Sequence, residues 1–150
     1  MKPICIDANV FIASTKGSEP YSPDCMRVIQ AVADGEFYLI EPTICLTEVI
    51  RNISKYLGME TGKTQENNLR RMVSIWEICD VHFCTSAGYT GALYGTYAMD
   101  SIYLETALKH HAALVSLDED DFLLRIKGRV GIEIYHPRDF PCLLYTSDAA

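Results

Sequence analysis

The sequence predicts an α/β domain whose sheet is mainly parallel. Short apolar runs alternate with longer amphipathic ones along the chain, the pattern of strand–helix–strand units. Proline and glycine punctuate many of the changes from one kind of run to the other. The length, 150 residues, is that of one domain with a sizeable core.

The elements follow in order. PICID (3–7) is a buried strand ending in Asp7, with Asn9 two residues on. PDCMRVIQAVADGE (23–36) reads as a helix, because Pro23 suits a first turn and Gly35 a last one. FYLIEP (37–42) is a second strand, stopped by Pro42. TICLTEVIRNISKYLG (43–58) is an amphipathic helix with Thr43 as N-cap, an apolar side of Ile44, Val49, Ile53 and Leu57, and Gly58 at its end. TQENNLRRMVSIWEI (64–78) is assigned as another helix and DVHFCT (80–85) as the third strand. AMDSIYLETALKHHA (98–112) is a helix running into the buried strand ALVSL (113–117). DDFLLRIKG (120–128) is a short helix, and GIEIYHP (131–137) is the last strand. CLLYTSDAA (142–150) stands apart, because it resembles the in-frame translation of a transposon-type sequencing adapter. The domain is therefore expected to occupy residues 1–141, with 142–150 an extraneous tail.

Hydrophobic residues make up 49% and charged residues 22%, ordinary values for a soluble domain. No apolar run approaches the ~20 residues of a membrane span. Met1-Lys2-Pro3 leads straight into a strand, so the expectation is a cytoplasmic protein with no membrane partner. Six cysteines, Cys5, Cys25, Cys45, Cys79, Cys84 and Cys142, show no CxxC spacing. They read as small hydrophobes in a reducing compartment, without a zinc site or disulfides. The net charge of −7 argues against a broad phosphate-binding surface. It leaves room for a site where cations offset clustered carboxylates.

The acids give that site a location. Asp7 and Asp118 each follow a strand, and ligands of open α/β sheets bind beyond the carboxyl ends of strands. Asp100 opens the helix that feeds the second of these strands, and Glu48 lies near the start of the helix after strand two. Four carboxylates far apart in sequence can therefore meet. Alone each has a plainer reading: Asp7 and Asp100 as helix caps, Glu48 as a solvated surface acid, Asp118 as part of an acidic turn. Together they would repel one another unless divalent cations were bound, and hard Mg²⁺ or Mn²⁺ suits such oxygens. One or two such ions would support phosphodiester hydrolysis.

ICIDANVFI, PTICLTEVIRN and MDSIYLETALKHHAALVSLDEDDF, with the closing IEIYHPRDF, together resemble the PIN-domain ribonucleases. The likeness is strongest to the small VapC-type toxins of toxin–antitoxin pairs and covers about residues 3–140. It implies a three-layer fold with a five-stranded, mainly parallel sheet in the order 3-2-1-4-5, flanked by helices. It also implies that Asp7, Glu48, Asp100 and Asp118 are the catalytic acids and bind Mg²⁺ or Mn²⁺, with Asp121 as a further metal ligand. Asn9 and Ser116 would support them. RNA as substrate, a small antitoxin as partner and a homodimer are implied in the same way.

The chain departs from the family where Tyr103 and Glu105 replace small residues. Arg51 and Lys55 follow Glu48 on roughly one helix face. They are candidates for RNA phosphates, with i,i+3 pairing of Arg51 to Glu48 as the equal alternative. Arg70, Arg71, Arg125, Lys127 and Arg129 are looser candidates. Tyr89, Tyr94 and Tyr97 could stack on bases, but a structural role is the better reading. No histidine receives a catalytic role. Two other readings stay open: a non-catalytic RNA- or protein-binding module, and a phosphatase with Asp7 as nucleophile. The phosphatase reading wants a second acid where Asn9 stands.

Overall fold

The computed structural model describes residues 1–141; the stretch 142–150 and its Cys142 lie outside the described residues. Five strands, β1 (Lys2–Ile6), β2 (Phe37–Pro42), β3 (Val73–Glu77), β4 (Ala113–Val115) and β5 (Ile134–Tyr135), form one parallel sheet in the order β3-β2-β1-β4-β5. The class and strand order are those expected. β1 and β4 lie in the middle, where Ile4, Cys5, Ile6, Leu114 and Val115 lose all contact with water. Apolar side chains on both faces suit such strands, because helices cover a parallel sheet on each side.

Two helices fill each long crossover. α1 (Ala8–Ser14) and α2 (Ser22–Ala33) join β1 to β2; α3 (Ile44–Leu57) and α4 (Met59–Met72) join β2 to β3; α5 (Val81–Tyr94) and α6 (Ala98–His110) join β3 to β4. A π-helical turn (Glu119–Leu123) and α7 (Leu124–Ile126) precede β5. Right-handed crossovers carry the chain outward on one face and back on the other, which gives three layers.

Three elements differ from the sequence reading. The third strand is Val73–Glu77, and residues 80–85 begin α5 instead. The Asp80 carboxylate accepts the Phe83 amide at 2.9 Å, so Asp80 caps a helix where VHFCT alone looked strand-like. The predicted helix 64–78 is cut at Met72, and α4 begins earlier, at Met59. From Val73 the backbone is extended, because Val73 and Ile75 find ladder partners in Leu39 and Ile40 of β2. α1 has no counterpart among the predicted elements. At seven residues it is too short to show a clear periodicity.

The cysteines behave largely as small hydrophobes. Cys5, Cys25 and Cys45 are buried, Cys79 is half-buried and Cys84 exposed, and all five are free thiols. Arginines near the end of the chain close α5. Arg125 donates to the Gly95 carbonyl at 2.6 Å, and Arg129 donates to Leu93 and Tyr94 carbonyls at 3.1 and 3.4 Å. These guanidiniums satisfy carbonyls that a helix end leaves unpaired. They also lie over the Tyr97 and Tyr94 rings, giving those tyrosines the structural role expected.

Two glycines permit close helix contact. Gly62 of α4 faces Ser54 of α3, and Gly91 of α5 faces Ser101 of α6. A Cβ at Gly91 would meet Ser101 Oγ at 2.2 Å and its Cβ at 2.9 Å. Gly91→Ala is therefore expected to push α5 from α6 and destabilise the protein by about 1–3 kcal/mol. Chemical denaturation measures this; unchanged stability would mean that the α5–α6 contact adjusts freely.

Candidate active site

The sheet delivers the acids to its carboxyl edge. The ladder continues one step past β1, with the Asp7 amide donating to the Val115 carbonyl at 2.9 Å. One strand over, the Ser116 amide donates to Tyr135 at 3.2 Å. Asp7 and Ser116 thus become neighbours. Ser116 Oγ donates to Asp7 Oδ2 at 2.8 Å, and Asn9 Nδ2 reaches the same oxygen at 3.3 Å. Asn9 Oδ1 accepts the Leu117 amide at 3.1 Å, and Ser116 Oγ accepts the Asp118 amide at the same distance. Asn9 therefore ties the start of α1 to the turn after β4. Asp7 occupies the N-cap position of α1, yet its carboxylate makes no cap hydrogen bond.

The other acids arrive from helices. Glu48 stands one turn into α3, and its Oε1 accepts the Tyr103 hydroxyl at 2.7 Å. Asp100 stands in the first turn of α6, where the helix dipole favours an anion. Asp118 Oδ1 accepts the Asp121 amide at 3.1 Å, so Asp118 also caps the π-helical turn. Asp121 is exposed and turned toward Arg125, at 3.3 Å.

Electrostatics shows that these groups share one neighbourhood. Burial pushes the Asp7 carboxyl up to about 7, and the charges of Asp100 and Glu48 push the same way against the hydrogen bonds from Ser116 and Asn9. Asp100 is pushed up to about 6 by burial, then by Asp118, Glu48 and Asp121, with Arg125 opposing. Glu48 is also raised by burial, and the Tyr103 bond pulls it down. Asp100 thus links the set, lying within reach of the charges of Asp118, Glu48 and Asp121 and itself acting on Asp7. Among the described residues, no three His, Cys, Asp or Glu side chains are already drawn into a coordination cage. The donor set still fits a hard divalent cation: it is all oxygen, and its acids resist ionising together.

Two residues missed by sequence reasoning support the cluster from beneath. Tyr103 is almost fully buried, and its hydroxyl orients Glu48. Glu41, at the end of β2, is wholly buried; its Oε1 accepts the Ile6 amide at 2.6 Å, and among the described residues its Oε2 accepts no N–H or O–H, with the Cys45 thiol beside the carboxyl. Burial raises the Glu41 carboxyl well above its ordinary range, and Asp7 and Glu48 add to that. FYLIEP carried a faint signal, an acid inside an apolar strand.

Other candidates fall elsewhere. Arg51 turns to Asn52 at 3.2 Å and forms no ion pair with Glu48. Lys55 lies near the Tyr56 ring. Arg70 pairs with Glu66, and Arg71 bonds to Asn68. Glu105 accepts from Thr90 across α5 and α6. His110 contacts Glu77, and His136 accepts the Arg138 amide. Asn9, in the position where a phosphatase would want a second acid, is used as a positioning amide.

The PIN domain family model matches residues 4–128, and the chain belongs to that family. No curated protein matches the chain in sequence. Among solved structures, similar folds include a toxin–antitoxin complex from Klebsiella pneumoniae, at 19% identity and a TM-score of 0.63, covering 89% of this chain and 97% of that one. VapBC2 from Rickettsia felis, bound to a promoter DNA fragment, shows 12% identity and a TM-score of 0.63, over 89% and 98% of the two chains. VapC20 from Mycobacterium tuberculosis, described as a toxin cleaving the sarcin–ricin loop, shows 11% identity and a TM-score of 0.63, over 78% and 91%.

Two expectations follow from the geometry. The folded state raises the Asp7 carboxyl from its ordinary value near 4 to about 7. The stabilisation that this proton gives is complete below about pH 4 and is lost as pH rises through about 7. Metal-free protein should therefore melt at lower temperature at about pH 8 than at about pH 5, and Asp7→Asn should flatten that slope. A slope unchanged in Asp7→Asn would contradict the Asp7 assignment. In Tyr103→Phe, loss of the hydroxyl should let the Glu48 carboxyl titrate higher than in wild type, as read by carboxyl NMR. No change would mean that the 2.7 Å bond is not kept in solution.

Proposed function

We propose that the chain is a divalent-metal-dependent endoribonuclease and the toxin of a toxin–antitoxin pair. The observation that carries this reading is the convergence of Asp7, Glu48, Asp100 and Asp118 from four separate elements, with the charges of Asp100 and Glu48 acting on Asp7 and those of Asp118 and Glu48 acting on Asp100. Membership of the PIN family supports it. The description of VapC20 as an RNA-loop-cleaving toxin supports RNA as the substrate class. A fold neighbour described as a toxin–antitoxin complex supports a small antitoxin as partner, while a homodimer rests on the sequence resemblance alone.

In this reading Asp7, Glu48, Asp100 and Asp118 would hold Mg²⁺ or Mn²⁺, with Asp121 at the rim, through hard oxygen donors. The bound ion would supply an activated water and offset charge on the leaving oxygen. The remaining work belongs to the chain. Ser116 and Asn9 fix the rotamer of Asp7, so that its carboxylate need not reorganise during the reaction. Tyr103 does the same for Glu48. Glu48, Asp100 and Asp118 are half-buried, which leaves the mouth open to a phosphodiester backbone.

Purified protein offered a mixed RNA pool should cut with Mn²⁺ or Mg²⁺ and stop with EDTA. Asp100→Asn should reduce the rate at least about a hundredfold, the upper range for a residue that only supports a metal ligand. Equal cutting by both proteins would overturn the reading. RNA binding without cutting by wild type would favour the non-catalytic module.

A further inference from the structure

We propose that a single-stranded RNA segment next to the scissile phosphate runs along α3 from Glu48 and stacks a base on Tyr56. The proposal rests on the nuclease reading and adds a substrate subsite to it. Glu48, Arg51, Asn52, Lys55 and Tyr56 recur at i, i+3, i+4, i+7 and i+8, so they share one face of α3. Eight residues of helix carry that face about 12 Å from the acids. α1 starts at Asp7 and packs on α3, so Lys16, just beyond its end, meets the same face.

The far end of this face has an unusual composition. Tyr56 is 57% exposed, with Lys16 Nζ 4.2 Å from its ring centroid and Lys55 Nζ 5.4 Å away. Lys2, Lys63 and Lys109 pair with acids, Glu133, Glu66 and Glu77 respectively. Lys16, Arg51 and Lys55 form no ion pair among the described residues. In a protein of charge −7, this one face gathers three cations that form no ion pair among the described residues, beside an exposed tyrosine. Exposed cations beside an aromatic face suit unpaired nucleic acid, with phosphates on the cations and a base on the ring.

The test is binding of fluorescein-labelled, mixed-sequence single-stranded RNA, read by anisotropy in the uncut Asp100→Asn background. Tyr56→Ala should weaken binding about tenfold, the loss expected for one stacked base, while Tyr56→Phe should stay within about twofold. Replacing Lys16 and Lys55 together by Gln should reduce the steepness of the log-affinity against log-salt plot by about 1.4, from about 0.7 per phosphate contact. Lys2→Gln, at the opposite end of β1, should change nothing. Wild-type affinity and salt slope in the Tyr56→Ala and double-lysine proteins would overturn the proposal. If wild type still cuts RNA in a metal-dependent way, the nuclease reading survives that failure. If these variants lose binding but wild type and Asp100→Asn never differ in cutting, the subsite stands and the nuclease reading falls. If wild type binds no RNA, both fall.

Discussion

Everything at the site depends on β1 lying beside β4. That single pairing carries the backbone bond from Asp7 to Val115, and from it follow the contacts of Ser116 and Asn9 with the Asp7 carboxylate. Parallel strands end on the same side, so their terminal residues meet without any loop having to reach. α3 leaves β2 from the same edge, and α6 starts there because it must run back to the opposite edge to feed β4. Glu48 and Asp100 therefore need only to stand in the opening turns of α3 and α6 to face Asp7.

The same convergence sets carboxylates against one another. Burial and repulsion raise Asp7 and Asp100, burial raises Glu48, and wholly buried Glu41 adds a further acid beneath them. Hydrogen bonds from Ser116, Asn9 and Tyr103 offset part of this and do not remove it. An acid cluster this unfavourable is expected where chemistry requires it, because the surrounding structure must hold it in place. Glu41 is the least satisfied member, with one oxygen bound to Ile6 and the other accepting no N–H or O–H among the described residues.

The α/β class and the positions of the four acids could be read from sequence because each rests on a local pattern, an acid directly after a buried run or in the first turn of a helix, whereas the strand order came from the resemblance to the PIN-domain ribonucleases. Elements that failed did so where two patterns overlapped. Val73, Ile75 and Trp76 fit the end of an amphipathic helix as well as a strand, and only pairing with β2 decides between them. α5 has no charged residue and two interior glycines, so it shows no clean helical stripe, and the cap at Asp80 was its real signal. Tyr103 and Glu41 were beyond reach for another reason. Their roles depend on what lies across the sheet edge, and spacing along the chain does not report that.

The assembly order of the chain has a consequence for when this protein can act. The bond from Ser116 to Asp7 closes a separation of 109 residues, so β1 waits for almost the whole domain before its inner edge is covered. Contacts so far apart in sequence form late, after the loop-closure entropy of the intervening chain has been met. A chain emerging from the ribosome therefore carries Asp7 and Glu48 long before Asp118 exists to complete the cluster. Until the last third of the domain has docked, the nascent chain presents only a fragment of the acid set.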